Sequence, residues 1–182
     1  MAQQQIIKSL LFGVFGIIII GILGYLSIGI LAPEEYTGII SEEIEVPERF
    51  IWTYLTEIDS LPAKRKDIEK VEMLGLNELN LEKWREYTDS KGFVEMEFME
   101  KVPDRRVIVK MSRSSFGMTG KWTYEFTPLN NEKTKLTVKE ESTAERFIPR
   151  AMLTIGGRDS YLINQIQIIK DVYASESTKT EE

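Results

Sequence analysis

The chain has neither cysteine nor histidine among its 182 residues. Without cysteine there can be no disulfide, no thiol nucleophile and no thiolate metal site. Without histidine, Ser-His triads, imidazole-ligated zinc and imidazole acid–base chemistry are excluded. Any catalysis would fall to Asp, Glu, Lys, Tyr or Arg, or to a bound cofactor. Positive charge is also in deficit, with 23 Lys and Arg against 29 Asp and Glu and a net charge of −6. A nucleic-acid partner needs a basic footprint, so none is expected. The phosphate-binding glycine loop and the acidic calcium loop are missing as well. No cofactor and no metal site is expected.

Charge is absent altogether from Leu10 to Ala32, where fifteen residues are Ile, Leu, Val or Phe. As a helix this run spans roughly 35 Å at ~1.5 Å per residue, against a hydrocarbon core of about 30 Å. It is longer than the apolar core of a cleaved signal peptide. Pro33 and the bulky Ile30 also spoil the cleavage position that Ala32 would offer. The expectation is a single transmembrane helix at 10–32, a short flank at 1–9 and a linker at 33–35. Lys8 precedes the run and Glu34 and Glu35 follow it. The positive-inside bias therefore puts the N-terminus in the cytoplasm and the larger domain outside the cell membrane. Gly13, Gly16, Gly21, Gly24 and Ser27 share an arc of about 140°, a small-residue face that suits homodimerisation, although glycine is common in membrane helices anyway.

Beyond Pro33 the chain becomes polar and patterned. The clearest stretch is Lys121-Trp-Thr-Tyr-Glu-Phe-Thr-Pro128. Trp122, Tyr124 and Phe126 alternate with Lys121, Thr123 and Glu125, the mark of a strand with one buried face. Further strands are expected at Tyr36–Val46, Ile68–Leu74, Lys83–Thr88, Phe93–Val102, Arg106–Met111 and Lys133–Thr143. Pro47 opens a helix whose apolar face is Phe50, Ile51, Tyr54, Leu55 and Ile58. Lys64-Arg65-Lys66 reads as a solvated turn. Residues 114–120 read as a flexible loop carrying Phe116 and Met118. A last helix runs from about Pro149 to Tyr173, interrupted at Gly156-Gly157, each glycine costing about 1 kcal/mol in a helix interior. Ser175 to Glu182 is polar, and a disordered tail is expected at 174–182.

The order is strand, short helices, a run of antiparallel strands, then a long helix. A meander with one apolar face must cover it, and only the last helix is long enough. The expected fold class is α+β, a curved antiparallel sheet of about six to seven strands around a long C-terminal helix. At this point the chain resembles the START-like superfamily, also called SRPBCC, the helix-grip fold of the polyketide cyclase and lipid-transport group. The resemblance covers about 36–173. It rests on Ile44-Glu-Val-Pro-Glu-Arg-Phe-Ile-Trp52, on Phe116-Gly-Met-Thr-Gly-Lys-Trp-Thr-Tyr-Glu-Phe-Thr-Pro128 with Lys135-Leu-Thr-Val-Lys-Glu140, and on Asn164-Gln-Ile-Gln-Ile-Ile-Lys170. Many relatives have a tryptophan just after the Leu-Pro that ends the first helices. Ala63-Lys64 stands there in this chain, which implies a differently shaped wall.

Three functions are consistent with these residues. The first is a membrane-anchored protein that binds a small hydrophobic molecule or lipid. Its cavity would be lined by Trp84, Met96, Phe98, Met111, Phe116, Met118, Trp122, Tyr124 and Phe126, with methionine suited to variable apolar ligands. The second is a cyclase or dehydratase using carboxylate acid–base chemistry. Glu140 is the candidate there, because it shares a strand face with Leu136 and Val138 and a buried carboxyl holds its proton to higher pH. Arg113, Arg158 and Asp159 are its candidate partners. The third is an interaction module whose interior is filled by side chains. Binding rather than catalysis is the expectation, since a fold of this kind hosts many functions.

Overall fold

A computed structural model of the chain describes residues 2–89 and 91–180, and the side chains of 10–89 and 91–178. Helix α1, Ala2–Leu31, comes first. Its Leu10–Leu31 portion is long and apolar enough to cross a membrane by length and composition. Strand β1, Glu35–Ile44, is followed by α2, Glu48–Thr56, a single 3₁₀ turn at Ile58–Ser60, and α3, Leu61–Lys64. Six strands come next: β2 Ile68–Leu76, β3 Glu82–Thr88, β4 Phe93–Val102, β5 Arg106–Ser114, β6 Met118–Pro128 and β7 Thr134–Ala144. Helices α4, Phe147–Gly156, and α5, Ser160–Thr180, close the chain.

The seven strands form one antiparallel sheet in the order β1-β7-β6-β5-β4-β3-β2. Strands β2 to β7 pair with their chain neighbours, as a meander must. Only β1 crosses over, to lie against β7 from Glu35↔Thr143 to Ile44↔Thr134. Register shifts in β2, β4 and β5 mark bulges, which add local twist and bend. The concave face carries the core. Trp84, Phe98, Val107, Trp122, Phe126, Leu136 and Val138 from the sheet pack against Ile51, Leu162, Ile166 and Ile169 from the helices. Two ring contacts tie this core together, Phe50 edge-on to Tyr173 with centroids 4.9 Å apart and Trp84 tilted against Phe98 at 4.8 Å.

Four expectations change here. The last helix is two helices. Gly157 adopts φ +83°, a conformation open to glycine and costly for other residues, so the chain turns there instead of kinking. Helix α5 continues past Tyr173 to Thr180, where a disordered tail was expected. Its last turns hold no glycine or proline, and the Ser175, Ser177 and Thr178 hydroxyls bond back to carbonyls three or four residues earlier. Residues 181 and 182 lie outside the described residues. At the other end, α1 already begins at Ala2 within the expected flank. Finally, the loop expected at 114–120 shrinks to a tight turn, because Met118, Thr119 and Gly120 pair with Ala144, Thr143 and Ser142 of β7.

The expected linker at 33–35 is held in place. Arg158 donates to the carbonyls of Pro33 and Glu35 at 2.6 and 3.2 Å. Arg150 donates to Glu34 at 3.1 Å and to the Ala32 carbonyl at 3.5 Å.

Candidate functional site

Between the concave sheet, the α2–α3 segment and the first half of α5 lies a cavity of about 340 Å³. Strand parity supplies its walls. Met118, Trp122 and Tyr124 come from β6, Val109 and Met111 from β5, Val94 and Met96 from β4, and Trp84, Glu86 and Thr88 from β3. Glu140 comes from β7, directly opposite Trp122 in the register. Tyr54, Leu55, Ile58 and Leu61 close one side, Arg65, Asp67 and Ile68 a second, and Leu153, Tyr161 and Gln165 the last. The rings of Trp122 and Tyr161 meet across it, with centroids 5.8 Å apart.

The few polar groups in this apolar space fall into two sets. In the first, Arg65 holds Asp67 through two nitrogen–oxygen contacts of 3.2 and 2.5 Å. Burial alone would raise the Asp67 carboxyl. The Arg65 hydrogen bond and charge outweigh it and hold the group below 3.8. Nearby, Glu86 is only 8 % exposed and accepts the Trp84 indole N–H at 2.9 Å. Burial lifts its carboxyl above 4.5 despite that bond and the charge of Arg65. Burial also pushes the Tyr54 phenol up to about 12.

The second set lies at Glu140, 5 % exposed. Burial lifts this carboxyl above 4.5, against the pull of the Ser142 hydroxyl, the Trp122 indole and the Arg158 charge. One of its oxygens, Oε2, is buried without a hydrogen-bond partner among the described residues, and so is Nε1 of Trp122. Native interiors leave few such groups unmatched, and each costs about 1–3 kcal/mol while unmatched. Both side chains line the cavity from neighbouring strands, and the indole lies close enough to draw on the carboxyl while the pair falls outside good hydrogen-bond geometry.

Of the nine residues expected to line a cavity, the structure brings six together: Trp84, Met96, Met111, Met118, Trp122 and Tyr124. Phe98 and Phe126 share the concave face but lie in the packed core, at 0 % and 4 % exposure. Phe116 sits in the β5–β6 turn, half exposed, with its ring over Gly92. The partners expected for Glu140 make their direct contacts elsewhere, although the charges of Arg158 and Asp159 still act on it. Arg113 pairs with Glu95 at 3.7 Å, Arg158 holds the 33–35 segment, and Asp159 accepts the Tyr36 hydroxyl. Sequence reasoning passed over Glu86, although it has the parity of Trp84 and must face inward with it. It also left Arg65 in a solvated turn, whereas that side chain is 17 % exposed and borders the cavity.

No known family model and no curated protein matches the chain in sequence. Solved structures match it in shape. The chain superposes on the Zhui aromatase/cyclase from a Streptomyces species with a TM-score of 0.60 at 13 % identity, covering 76 % of this chain and 94 % of that one. A START superfamily protein from Mycobacterium smegmatis gives 0.53 at 11 %, covering 72 % and 97 %. Norcoclaurine synthase from Thalictrum flavum, in complex with dopamine and hydroxybenzaldehyde, gives 0.54 at 14 %, covering 78 % and 89 %. The fold is that of the START-like superfamily. At these identities the likeness extends to the helix-grip architecture and stops there.

Proposed function

We propose that the chain is a single-pass membrane protein whose START-like domain binds an apolar small molecule or lipid carrying a hydroxyl group. One observation carries this reading: an apolar cavity whose wall sets a Trp122 indole beside a Glu140 carboxyl, a donor and an acceptor that do not meet in good hydrogen-bond geometry. A volume of about 340 Å³ falls within the roughly 300–1,000 Å³ of ligand pockets. A hydroxyl both donates and accepts, so a single group inserted between the indole and the carboxyl would bridge them. Residues 10–31 of α1 act as the anchor, and Lys8 favours a cytoplasmic N-terminus with the domain on the far side. A cyclase- or dehydratase-type reaction is the second reading. It is favoured by the Glu140 carboxyl on the cavity wall, which burial shifts toward holding its proton to higher pH than an exposed one.

The test is native mass spectrometry of the full chain released from nanodiscs, followed by solvent extraction. A bound molecule at fixed stoichiometry is expected, and filling the cavity by Met111→Trp should abolish it. An adduct that survives Met111→Trp would place binding outside the cavity and refute the reading. Recovery of a chemically altered molecule from the wild type, but not from Glu140→Gln, would favour the enzyme.

A further inference from the structure

Helix α4 turns its apolar side chains outward. Met152, Ile155 and Ile148 are 62 %, 61 % and 49 % exposed. At ~100° per residue the three share an arc of about 60°. A contiguous apolar patch of this kind on a soluble surface marks an interaction site. Its neighbour in the fold identifies the occupant.

Helix α4 lies along the last two turns of α1. The Tyr25 hydroxyl donates to the Ile148 carbonyl at 3.3 Å. Gly29 has no room for a Cβ, which would collide with the Phe147 carbonyl and press on Ala151. The helices touch backbone to backbone at that point, the close approach that small residues permit in a membrane. Length then fixes the depth. The 22 residues of Leu10–Leu31 reach ~33 Å, just over the hydrocarbon thickness of about 30 Å. Without residues 25–31 the span falls to about 22 Å, too short to cross. The turns that α4 packs on must therefore lie within the hydrocarbon, and they carry α4 with them.

We infer that α4 is immersed in the edge of the lipid bilayer beside α1, with Ile148, Met152 and Ile155 in the acyl chains. This rests on reading α1 as the anchor. Arg150 fits that placement. It leaves the opposite side of α4 to pair with Glu34 at 3.1 Å, where its long stem carries the charge toward the interface. Leu153, also on the far side of α4 from the patch, lines the cavity. Helix α4 is thus the partition between the bilayer and the cavity.

The absence of cysteine makes the test clean. Single variants Met152→Cys, Ile155→Cys, Ile19→Cys and Lys135→Cys of the full chain are spin-labelled in phosphatidylcholine vesicles with a minority of phosphatidylglycerol. Collision rates with oxygen and with a water-soluble nickel chelate are then compared. All four side chains are exposed, so the fold should tolerate the labels. The oxygen-to-nickel ratio at Met152 and Ile155 should exceed that at Lys135 several-fold and stay below that at Ile19, which lies nearer the middle of the span. A ratio at Met152 and Ile155 equal to that at Lys135, with Ile19 still in lipid, would overturn the immersion of α4 and leave the anchor standing. Shielding from both reagents would show a second copy or another protein on the patch and would overturn it equally. An aqueous ratio at Ile19 would remove the anchor reading together with the inference.

Discussion

The concave face of the sheet has a packed end and a hollow end. At the packed end Phe98, Val107, Leu136, Val138 and Ile166 have no exposure at all. At the hollow end Met96, Met111, Trp122 and Glu140 border open space. Apart from Ile166 of α5, all of these residues come from one sheet and point to the same side. Strand type therefore does not separate them; the helix opposite does. Along its middle α5 offers Ile166, Ile169 and Val172, which fill the concavity. Toward its start it offers Tyr161 and Gln165, and at Gly157 the chain turns away into α4. Where the helix leaves the sheet, the core opens.

The largest effect should come from cutting a side chain out of the packed end. Phe98→Ala removes a ring that touches Trp84 with centroids 4.8 Å apart, and a loss of about 3–5 kcal/mol of stability is expected, the usual cost of such a cavity. Met111→Ala enlarges a space that already exists, so its cost should be about 1 kcal/mol, typical of an average substitution. Denaturant titration of both variants in one detergent checks the difference. Equal losses would mean that the two ends are packed alike.

The division between the ends was only partly legible in the sequence. Alternation placed Trp122, Tyr124 and Phe126 on one face correctly, because parity is local and burial of one face enforces it. The same logic put Trp84 inward and should have taken Glu86 with it. Parity gives the face but not the position along the helix opposite. Phe98 and Phe126 therefore read as lining residues when α5 in fact fills the space over them. Arg65 looked solvated because its surroundings come from α2, β2 and β3, which no local pattern reports. The sheet order was readable because six strands pair with their chain neighbours. The separation of α4 from α5 was readable only as the Gly156-Gly157 break, since its packing on α1 joins residues more than a hundred positions apart.

A smaller effect should follow pH. Burial raises the Glu86 carboxyl above 4.5 in the folded protein. A group whose folded value lies above its unfolded value contributes stability that is full below the unfolded value. That contribution is lost as pH rises through the folded value. Wild-type protein should therefore lose stability relative to Glu86→Gln as pH climbs from 4.5 toward neutrality, while below 4.5 the two should run in parallel. Parallel curves across the whole range would show that water or a ligand already solvates the carboxylate.

The smallest effects should come from two neighbouring carboxylates on opposite faces of β7. Glu141 points outward between Lys121 and Lys139, at 2.8 and 3.4 Å. These partners hold its carboxyl below 4.5, chiefly through the Lys121 hydrogen bond. Glu141→Gln should lower stability slightly in dilute buffer and not at all in high salt, because exposed pairs are screened. Glu140→Gln should act in the opposite sense. It removes a carboxylate that burial disfavours and should raise the stability of ligand-free protein at neutral pH. The cost of keeping Glu140 then makes physical sense only if something satisfies its free oxygen. Bound ligand should accordingly stabilise the wild type more than Glu140→Gln, through the hydrogen bond that only the carboxylate fully accepts. Thermal unfolding of both proteins, with and without the extracted molecule, tests this. An equal gain for both would leave the buried carboxylate without a role in recognition.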